Sequence, residues 1–334
     1  MERLLLFRQH LKQFYKRWEL YLLPIAKFLT MLCALLTINQ MIGYAAFLNR
    51  WAVVLVVSLV ASLLPWSAVT YFSAAYLLLH TCALSWEAGV LTGIFLLIGI
   101  MLQYLFLPGG SIVIVLIPIA FKLGIPYAVM LLAGLYGGTA IFLPVGFGVF
   151  TSYFINNLVK NASLLAESGS VQDSLSKFSQ VLASLQANSV MFLTAVAFMV
   201  ATAVVCLFRK FSMDYAPYVA ICIGALADVL ISLLGSFFLD ITVPYVSLLA
   251  GVALSAVIAL AVQFWYVAAD YSRTEYLQYE DDDYVYYVKA VPKIRMSEQD
   301  IRIKEINSRE DSEHKDPDVE EALDMLKSLD DKDK

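Results

Sequence analysis

Nine strongly apolar stretches, separated by polar or proline-containing segments, constrain this chain more than any other feature. Several approach the roughly 20 residues that an α-helix needs to cross a bilayer. Of the 334 residues, 60% are hydrophobic and only 15% are charged, against about 25% charged in soluble domains. The sequence therefore predicts an all-α polytopic membrane protein and excludes a soluble domain. The stretches are 28–48, 51–64, 67–84, 88–107, 112–121, 126–155, 190–208, 215–239 and 243–268.

Two of the stretches, 51–64 and 112–121, are too short for an ordinary transmembrane helix. Each lies shortly before a proline, Pro65 or Pro126, which interrupts helical hydrogen bonding. If all nine stretches crossed, the pair Arg209–Lys210 would face outward, against the positive-inside rule. We therefore expect about six to nine membrane segments, some of them Pro-broken. One short run is expected to enter and leave on the same side, and the sequence leaves open which one.

Charge divides the chain into regions. The basic N-terminal helix favours a cytoplasmic N-terminus, and the acidic tail, which holds 20 acidic and 11 basic residues, is expected on the same side. No basic patch suits nucleic acid, so the partner expected of the body is the lipid bilayer. The five predicted regions are a basic amphipathic interfacial helix (1–27), an N-terminal membrane region with both Pro-broken segments (28–155), a polar extracytoplasmic loop with a short amphipathic helix at 171–185 (156–188), a three-helix membrane region (189–269) and a short, mostly disordered acidic cytoplasmic tail (270–334).

Asp228 is the residue that most directly indicates function. A carboxylate near the middle of a membrane helix costs about 2.5–3.5 kcal/mol on insertion scales, so it faces a polar interior or stays protonated. Gly224 and Ser232 lie one turn to either side of it, and small residues let helices approach closely. Two interpretations stay open. Asp228 binds a proton or cation, or it accepts hydrogen bonds from a neighbouring helix and fixes the packing.

Pro65 and Pro126 occupy matching positions in two similar segments, each with a short apolar run, a proline–aromatic pair and a longer apolar run. Paired Pro-interrupted segments point to a transporter binding site, since proline leaves a backbone carbonyl without its donor. Lys122 is interpreted as a counter-charge for Asp228 or for an anionic substrate, or as a side chain that extends to the interface. The hypothetical substrate or ion site thus comprises Asp228, Lys122, Pro65 and Pro126.

The chain lacks the motifs of common enzyme and cofactor sites. Its four cysteines lie singly in apolar stretches, and no Cys/His spacing suits zinc. His80 and Glu87 are more consistent with packing and interfacial roles than with a proton relay. We therefore expect no enzymatic activity, no cofactor and no metal.

The first part of the acidic tail resembles a segment found in another group of proteins. It begins DYSRTEYLQYEDDDYVYYVKAVPK at Asp270–Lys293, where Val285 and Val288 predict a short strand. This segment resembles one in a family of uncharacterised polytopic membrane proteins of Gram-positive anaerobic bacteria, sometimes filed as transporter permease-like. The similarity extends more loosely through IPYAVMLLAGLYGG and GALADVL. The resemblance implies a bacterial plasma membrane and supplies no substrate or site residues.

Three functional hypotheses follow. The first is a transporter or permease-type protein with its site at the Pro-broken segments and Asp228. The second is a membrane scaffold whose acidic tail recruits a cytoplasmic protein through residues 280–293 or 317–329. The third is a permease subunit that depends on a separate ATPase, because the chain has no nucleotide-binding motif of its own.

Overall fold

The computed structural model describes residues 2–106, 112–166, 171–211, 213, 215–266, 275–280 and 285–290. Its contacts divide the chain into two units, Met1–Ala268 and Ala269–Lys334. The helices of the first unit are α1 Glu2–Met41, α2 Trp51–Ser62, α3 Trp66–Leu84, α4 Trp86–Phe106, α5 Ile112–Leu123, α6 Pro126–Tyr136, α7 Phe142–Lys160, α8 Ala162–Ala166, α9 Val171–Gln186, α10 Ser189–Phe208, α11 Ala216–Phe238 and α12 Tyr245–Tyr266.

Seven helices in the described part of the chain are long and apolar enough to cross a membrane. They are α1, α3, α4, α7, α10, α11 and α12, whereas α2, α5 and α6 are shorter apolar helices. The prediction of an all-α polytopic membrane protein is confirmed. The protein is an integral membrane protein in which helices too short to span are packed among full-length ones.

Helix α1 is continuous from Glu2 to Met41, with Pro24 inside it. The φ angle of proline is compatible with a helix, and in a membrane helix the carbonyl it frees can be satisfied locally. The apolar part of α1 is Arg17–Met41. Residue 27 is therefore not a helix boundary, and the first span begins and ends earlier than the predicted 28–48.

The apolar stretch 126–155 is two helices rather than one. Helix α6 ends at Tyr136, and the extended backbone of Gly137 (ψ 169°) stops it. A Cβ on Gly137 would lie 2.5 Å from the carbonyl oxygen of Ala133, so the chain turns where only glycine fits. Helix α7 then starts at Phe142 and continues into the region predicted to be a polar loop.

Most of the described part of the polar region 156–188 is helical. It contains the end of α7, the short α8 and the amphipathic α9, which confirms the helix predicted at 171–185. The buried face of α9 includes Ser174, Lys177 and Val181, which point toward α4 and α7. Helix α9 therefore covers one end of the helix bundle instead of forming an open loop.

Two large apolar clusters organise the helices. One joins α1, α2 and α3, with Met31, Leu35 and Val69 fully buried in it. The other joins α5, α6, α7, α10, α11 and α12 around Met130 and Phe198. A smaller cluster joins α4, α7 and α9. The arrangement places the first Pro-broken segment and the second in different groups of helices.

The second unit contains an antiparallel hairpin of two strands. Strand β1 spans Glu275–Glu280 and pairs with β2, Val285–Ala290, so that Glu280 lies opposite Val285. The strand predicted around Val285 and Val288 is confirmed, and β1 adds a partner that the sequence did not indicate. The remaining tail residues, which include 291–293 and the predicted docking segment 317–329, lie outside the described residues.

Candidate functional site

Helices α5 and α6 are joined by a tight turn at residues 124–125. Gly124 has a φ of +77°, a left-handed conformation that glycine adopts without steric cost. Pro126 is the first residue of α6, where its missing N–H costs no intrahelical bond. The amide of Ile125 donates to the carbonyl of Ala120 over 2.9 Å. Gly124 and Pro126 together allow one helix to end and the next to begin within two residues.

Contacts with α7 show the direction of α5. A Cβ on Gly148 would lie 2.9 Å from Ile117, and further along both helices Phe121 packs against Tyr153 with 6.1 Å between ring centroids. Because both residue numbers increase together, α5 runs parallel to α7, toward the end of α7 at Lys160.

Contacts with α10 show the direction of α6. Tyr127 packs against Phe198, in the middle of α10, with 5.4 Å between ring centroids. Near the end of both helices, the thiol of Cys206 donates to the carbonyl of Gly134 over 3.2 Å. Helix α6 therefore runs parallel to α10, toward Arg209.

The end of α6 is held by Arg209. Its guanidinium group donates hydrogen bonds to the carbonyl oxygens of Leu135 and Gly137. Helix α10 is antiparallel to α7, since Gly146 packs against Met199 and residues further along α7 meet the first turns of α10. Helix α5 thus leads away from the Arg209 end of the bundle, and α6 returns to it.

Helices α5 and α6 are therefore a re-entrant hairpin (residues 112–136). Both of its ends lie toward the Arg209 end of the bundle, and the turn residues Lys122, Leu123 and Gly124 are exposed. Of the two short runs, 112–121 forms the first half of this hairpin, and α6, at the start of the next stretch, forms the second half. The hairpin turn lies level with the middle of α10, where Phe121 and Tyr127 both pack against Phe198.

Asp228 lies at the level of this turn. It is 0% exposed in α11, and neither carboxyl oxygen has a hydrogen-bond partner among the described residues. One turn earlier on the same face, Gly224 contacts Leu131 of α6 and Val205 of α10. Tyr127, in the first turn of α6, is close enough to interact electrostatically with the Asp228 carboxyl group. The carboxyl group is thus enclosed where α6, α10 and α11 meet.

Two buried hydroxyl groups lie near the same level, those of Thr202 in α10 and Ser255 in α12. Both residues are 0% exposed, and their oxygens have no hydrogen-bond partner in the part of the chain that is described. Thr202 follows Phe198 by one turn, and Ser255 follows Gly251 by one turn. Tyr127 contacts both Phe198 and Gly251. We call Asp228, Tyr127, Thr202 and Ser255 the buried polar centre.

Lys122, the predicted counter-charge, is exposed in the last turn of α5. No ion pair joins it to Asp228, whose oxygens are unpartnered within the described residues. The structure therefore places Pro126 and Lys122 in the hairpin beside the buried polar centre but does not form the predicted charge pair. An exposed lysine at the end of a helix fits the alternative interpretation, a side chain that extends to a polar surface.

Pro65 lies in the other group of helices. It precedes α3 in a turn held by Lys27, whose ammonium group donates to the carbonyl of Leu64 over 2.8 Å. Lys27 also lies 5.9 Å from the centre of the Trp66 ring. Helices α2 and α3 pack mainly against α1, α4 and α5, whereas α6 packs against α5, α10, α11 and α12. The structure does not bring Pro65 together with Asp228, so the four predicted residues do not share one site.

A polar cavity of about 550 Å³ opens at the opposite end of the bundle from Arg209. Tyr153 lines it and also contacts Phe121 of the hairpin, while its hydroxyl lies 3.2 Å from that of Thr194. We call this cavity the polar vestibule. Its polar lining side chains besides Tyr153 are Asn156, Asn157, Lys160, Asn161, Ser184 and Asn188.

His80 and Glu87 have structural contacts. The ring nitrogen Nδ1 of His80 accepts a hydrogen bond from the amide of Ala45 over 3.2 Å, which holds the turn after α1. Glu87 is buried at the start of α4, where it accepts a hydrogen bond from Ser174 over 3.0 Å and lies 4.0 Å from Lys177. These contacts agree with the packing interpretation of both residues.

Sequence reasoning missed most of this site. Thr202, Tyr127 and Arg209 carry no motif, and the vestibule asparagines were assigned to a polar loop. The signal for Arg209 was its position directly after an apolar stretch, and the signal for the vestibule was the density of asparagine in 156–188. Comparison with protein-family models, with curated proteins and with solved structures found no match.

Proposed function

We propose that this protein is a membrane transporter in which Asp228 binds a proton or monovalent cation and the hairpin α5–α6 separates the two sides. The observation that carries the proposal is a fully buried carboxyl group beside the turn of a re-entrant hairpin, whose two oxygens have no hydrogen-bond partner among the described residues. Intramembrane carboxyl groups are costly and mark ion or proton pathways. In transporters, broken helices supply such sites near the middle of the membrane.

The chemistry of the centre favours a singly charged species. One carboxyl group and three hydroxyl groups are present, and no cluster of three His, Cys, Asp or Glu side chains exists among the described residues. A divalent ion usually takes more carboxylate ligands, whereas one carboxylate is neutralised by one proton or one monovalent cation. The N-terminus of α6 adds polarity at the same place, because its first N–H groups lack intrahelical partners.

The charges at the two ends of the bundle favour one orientation of the protein in the membrane. With the N-terminus in the cytoplasm of a bacterium, the Arg209 end faces the cytoplasm and the polar vestibule faces outward. The basic pair Arg209–Lys210 then obeys the positive-inside rule, and the acidic tail is cytoplasmic. This orientation and the plasma-membrane location belong to the proposal.

Cysteine accessibility at the hairpin turn tests the proposal without knowledge of the substrate. In a variant without the four native cysteines, Leu123→Cys is labelled with a membrane-impermeant thiol reagent in intact cells and in inside-out vesicles. Leu123 is 66% exposed beside the turn. Ser179→Cys and Lys210→Cys, both exposed, report the two sides, and Trp66→Cys is the matched position beside the other proline.

We expect Leu123→Cys to react from both sides, because a transporter opens its central site to each side in turn. Each side control is expected to react from one side only. Adding Asp228→Asn should restrict the labelling of Leu123→Cys to one side, whereas Asp240→Asn, at an exposed position, should not. Labelling of Leu123→Cys from a single side or from neither, with correct controls, would overturn the proposal.

A further inference from the structure

The polar vestibule has the size of a ligand site. Its volume of about 550 Å³ falls within the roughly 300–1,000 Å³ typical of small-molecule pockets. It is bounded by α7, by α9 and by the start of α10, so three helices fix its walls. A surface depression between mobile loops would not hold polar groups in constant positions.

Part of the lining is held by internal hydrogen bonds. Ser184 of α9 donates to the Oδ1 atom of Asn157 over 2.9 Å, and Asn161 donates to the backbone carbonyl of Asn157, also over 2.9 Å. Asn188 caps α10 by accepting from the amide of Met191 over 3.2 Å. The Ser184–Asn157 bond connects α9 to α7, and the contact of Tyr153 with Thr194 connects α7 to α10, so the three helices are held together around the cavity without a ligand.

Two lining side chains are left for a ligand. Asn156 and Lys160 lie one turn apart on α7, both exposed, and neither has a side-chain hydrogen bond or ion pair among the described residues. Lys160 carries the only charge among the lining residues. The positive end of the α10 dipole, at Asn188, adds to the same sign of potential.

We infer that the polar vestibule binds a small solute with one carboxylate and several hydrogen-bonding groups. Lys160 pairs with the carboxylate, and Asn156 donates to and accepts from the polar groups. A single lysine balances a single negative charge, which favours a carboxylate over a doubly charged phosphate. Amide side chains bind hydroxyl and amide groups through both their donors and their acceptor.

The position of Tyr153 connects this site to the hairpin. Tyr153 forms part of the vestibule wall and packs against Phe121, which precedes the hairpin turn. A solute in the vestibule therefore lies on the same side of the hairpin turn as Tyr153. The binding of the solute is inferred from the vestibule alone. The further statement that this solute is the transported substrate rests on the proposed function.

The test measures the charge preference and the ligand preference of the vestibule directly. Val190→Cys, which lines the vestibule and leaves Asn156 and Lys160 in place, reacts in the variant without native cysteines with an anionic (sulfonatoethyl) or a cationic (trimethylammonioethyl) methanethiosulfonate. Ser179→Cys, on the exposed face of α9, is the control. The ratio of anionic to cationic rates is compared with Lys160 intact and with Lys160→Gln or Lys160→Arg. The reactions are repeated in millimolar D-glucuronate or in D-glucose, its neutral counterpart.

We expect the rate ratio at Val190→Cys to exceed that at Ser179→Cys by about threefold or more. It should fall to the control value in Lys160→Gln and persist in Lys160→Arg, which keeps the charge. Glucuronate should slow labelling at Val190→Cys more than glucose does. A rate ratio unaffected by Lys160→Gln, or equal protection by the two sugars, would overturn the inference. The Leu123→Cys result is independent of these rates, so each proposal can fail alone.

Discussion

Arg209, at the end of α10, donates hydrogen bonds from its guanidinium group to the backbone carbonyl of Leu135 in the last turn of α6 and to that of Gly137. The last carbonyls of any helix lack intrahelical donors, and inside a bilayer no water replaces them. The charge of Arg209 also lies at the negative end of the α6 dipole. One side chain from a full-length helix thereby secures the returning half of the re-entrant hairpin.

Arg209→Met should destabilise the hairpin. Hydrogen bonds to charged groups contribute about 1.5–3 kcal/mol, so we expect a loss of that order in the free energy of unfolding and faster amide hydrogen exchange in α6. Lys210→Met, at the exposed neighbouring position, should have little effect on either quantity. Thermal unfolding in detergent and hydrogen exchange measure them. Equal effects of the two substitutions would show that Arg209 acts only as a surface charge.

Asp228→Asn separates the two interpretations of Asp228. The carboxyl group makes no hydrogen bond within the described residues, so the nearly isosteric substitution breaks no such bond and removes the cost of a buried charge. We expect thermal stability to be maintained or increased and two-sided labelling of Leu123→Cys to be lost. Asp240→Asn, at an exposed position, should change neither. A melting temperature clearly below that of the parent protein would instead favour a packing role.

Gly224→Ala tests the close approach of α11 to α10 and α6. A Cβ at this position would overlap the Val205 side chain, and overpacking a core typically costs about 1–3 kcal/mol. Gly93→Ala is the matched control, since the nearest atom to its Cβ is Leu78 Cδ1 at 3.8 Å. Alanine there should be neutral or stabilising by about 0.5–1 kcal/mol, because glycine weakens a helix. Unfolding measurements that rank the two substitutions the other way would contradict the packing described.

Glu87 and Lys177 should be energetically coupled. Their side chains are 5% and 6% exposed and 4.0 Å apart, and removal of one partner from a buried pair typically costs about 3–5 kcal/mol. Glu87→Gln and Lys177→Met should each loosen α9, and the double variant should lose less stability than the sum of the two single changes. A double-mutant cycle on the unfolding free energy measures the coupling. Additive effects would mean that each residue is stabilised by other contacts.

Removal of residues 296–334 distinguishes the transporter from the scaffold. The described contacts of the buried polar centre lie within α6 and α10–α12, so truncation should leave the labelling pattern of Leu123→Cys unchanged. Cell growth or assembly that depends on residues 317–329, with normal labelling at Leu123→Cys, would instead favour recruitment of a cytoplasmic protein through the tail. Alanine substitutions in 317–329 alone would then have the same effect on growth or assembly as the truncation.

Composition and periodicity were sufficient to predict that the protein is an all-α polytopic membrane protein. Length and hydropathy predict the apolar helices, because the bilayer imposes both on any helix that crosses it, although α6 and most of α7 are predicted as one stretch. The amphipathic helix at 171–185 and the strand at Val285 follow from local side-chain patterns in the same way. Asp228 was recognisable since a carboxyl group in an apolar stretch is costly wherever it lies.

Tertiary structure decided which of these parts meet. The two short runs before Pro65 and Pro126 look equivalent in sequence, but α2 packs mainly against α1, whereas α5 and α6 form a hairpin beside α7 and α10. That outcome depends on Arg209, 83 positions after Pro126 in the numbering of the chain, and on the contacts of Tyr127 with α10 and α12. Local patterns specify a helix through neighbours three and four residues away, whereas a buried site is formed by residues that only the packing of separate helices brings together.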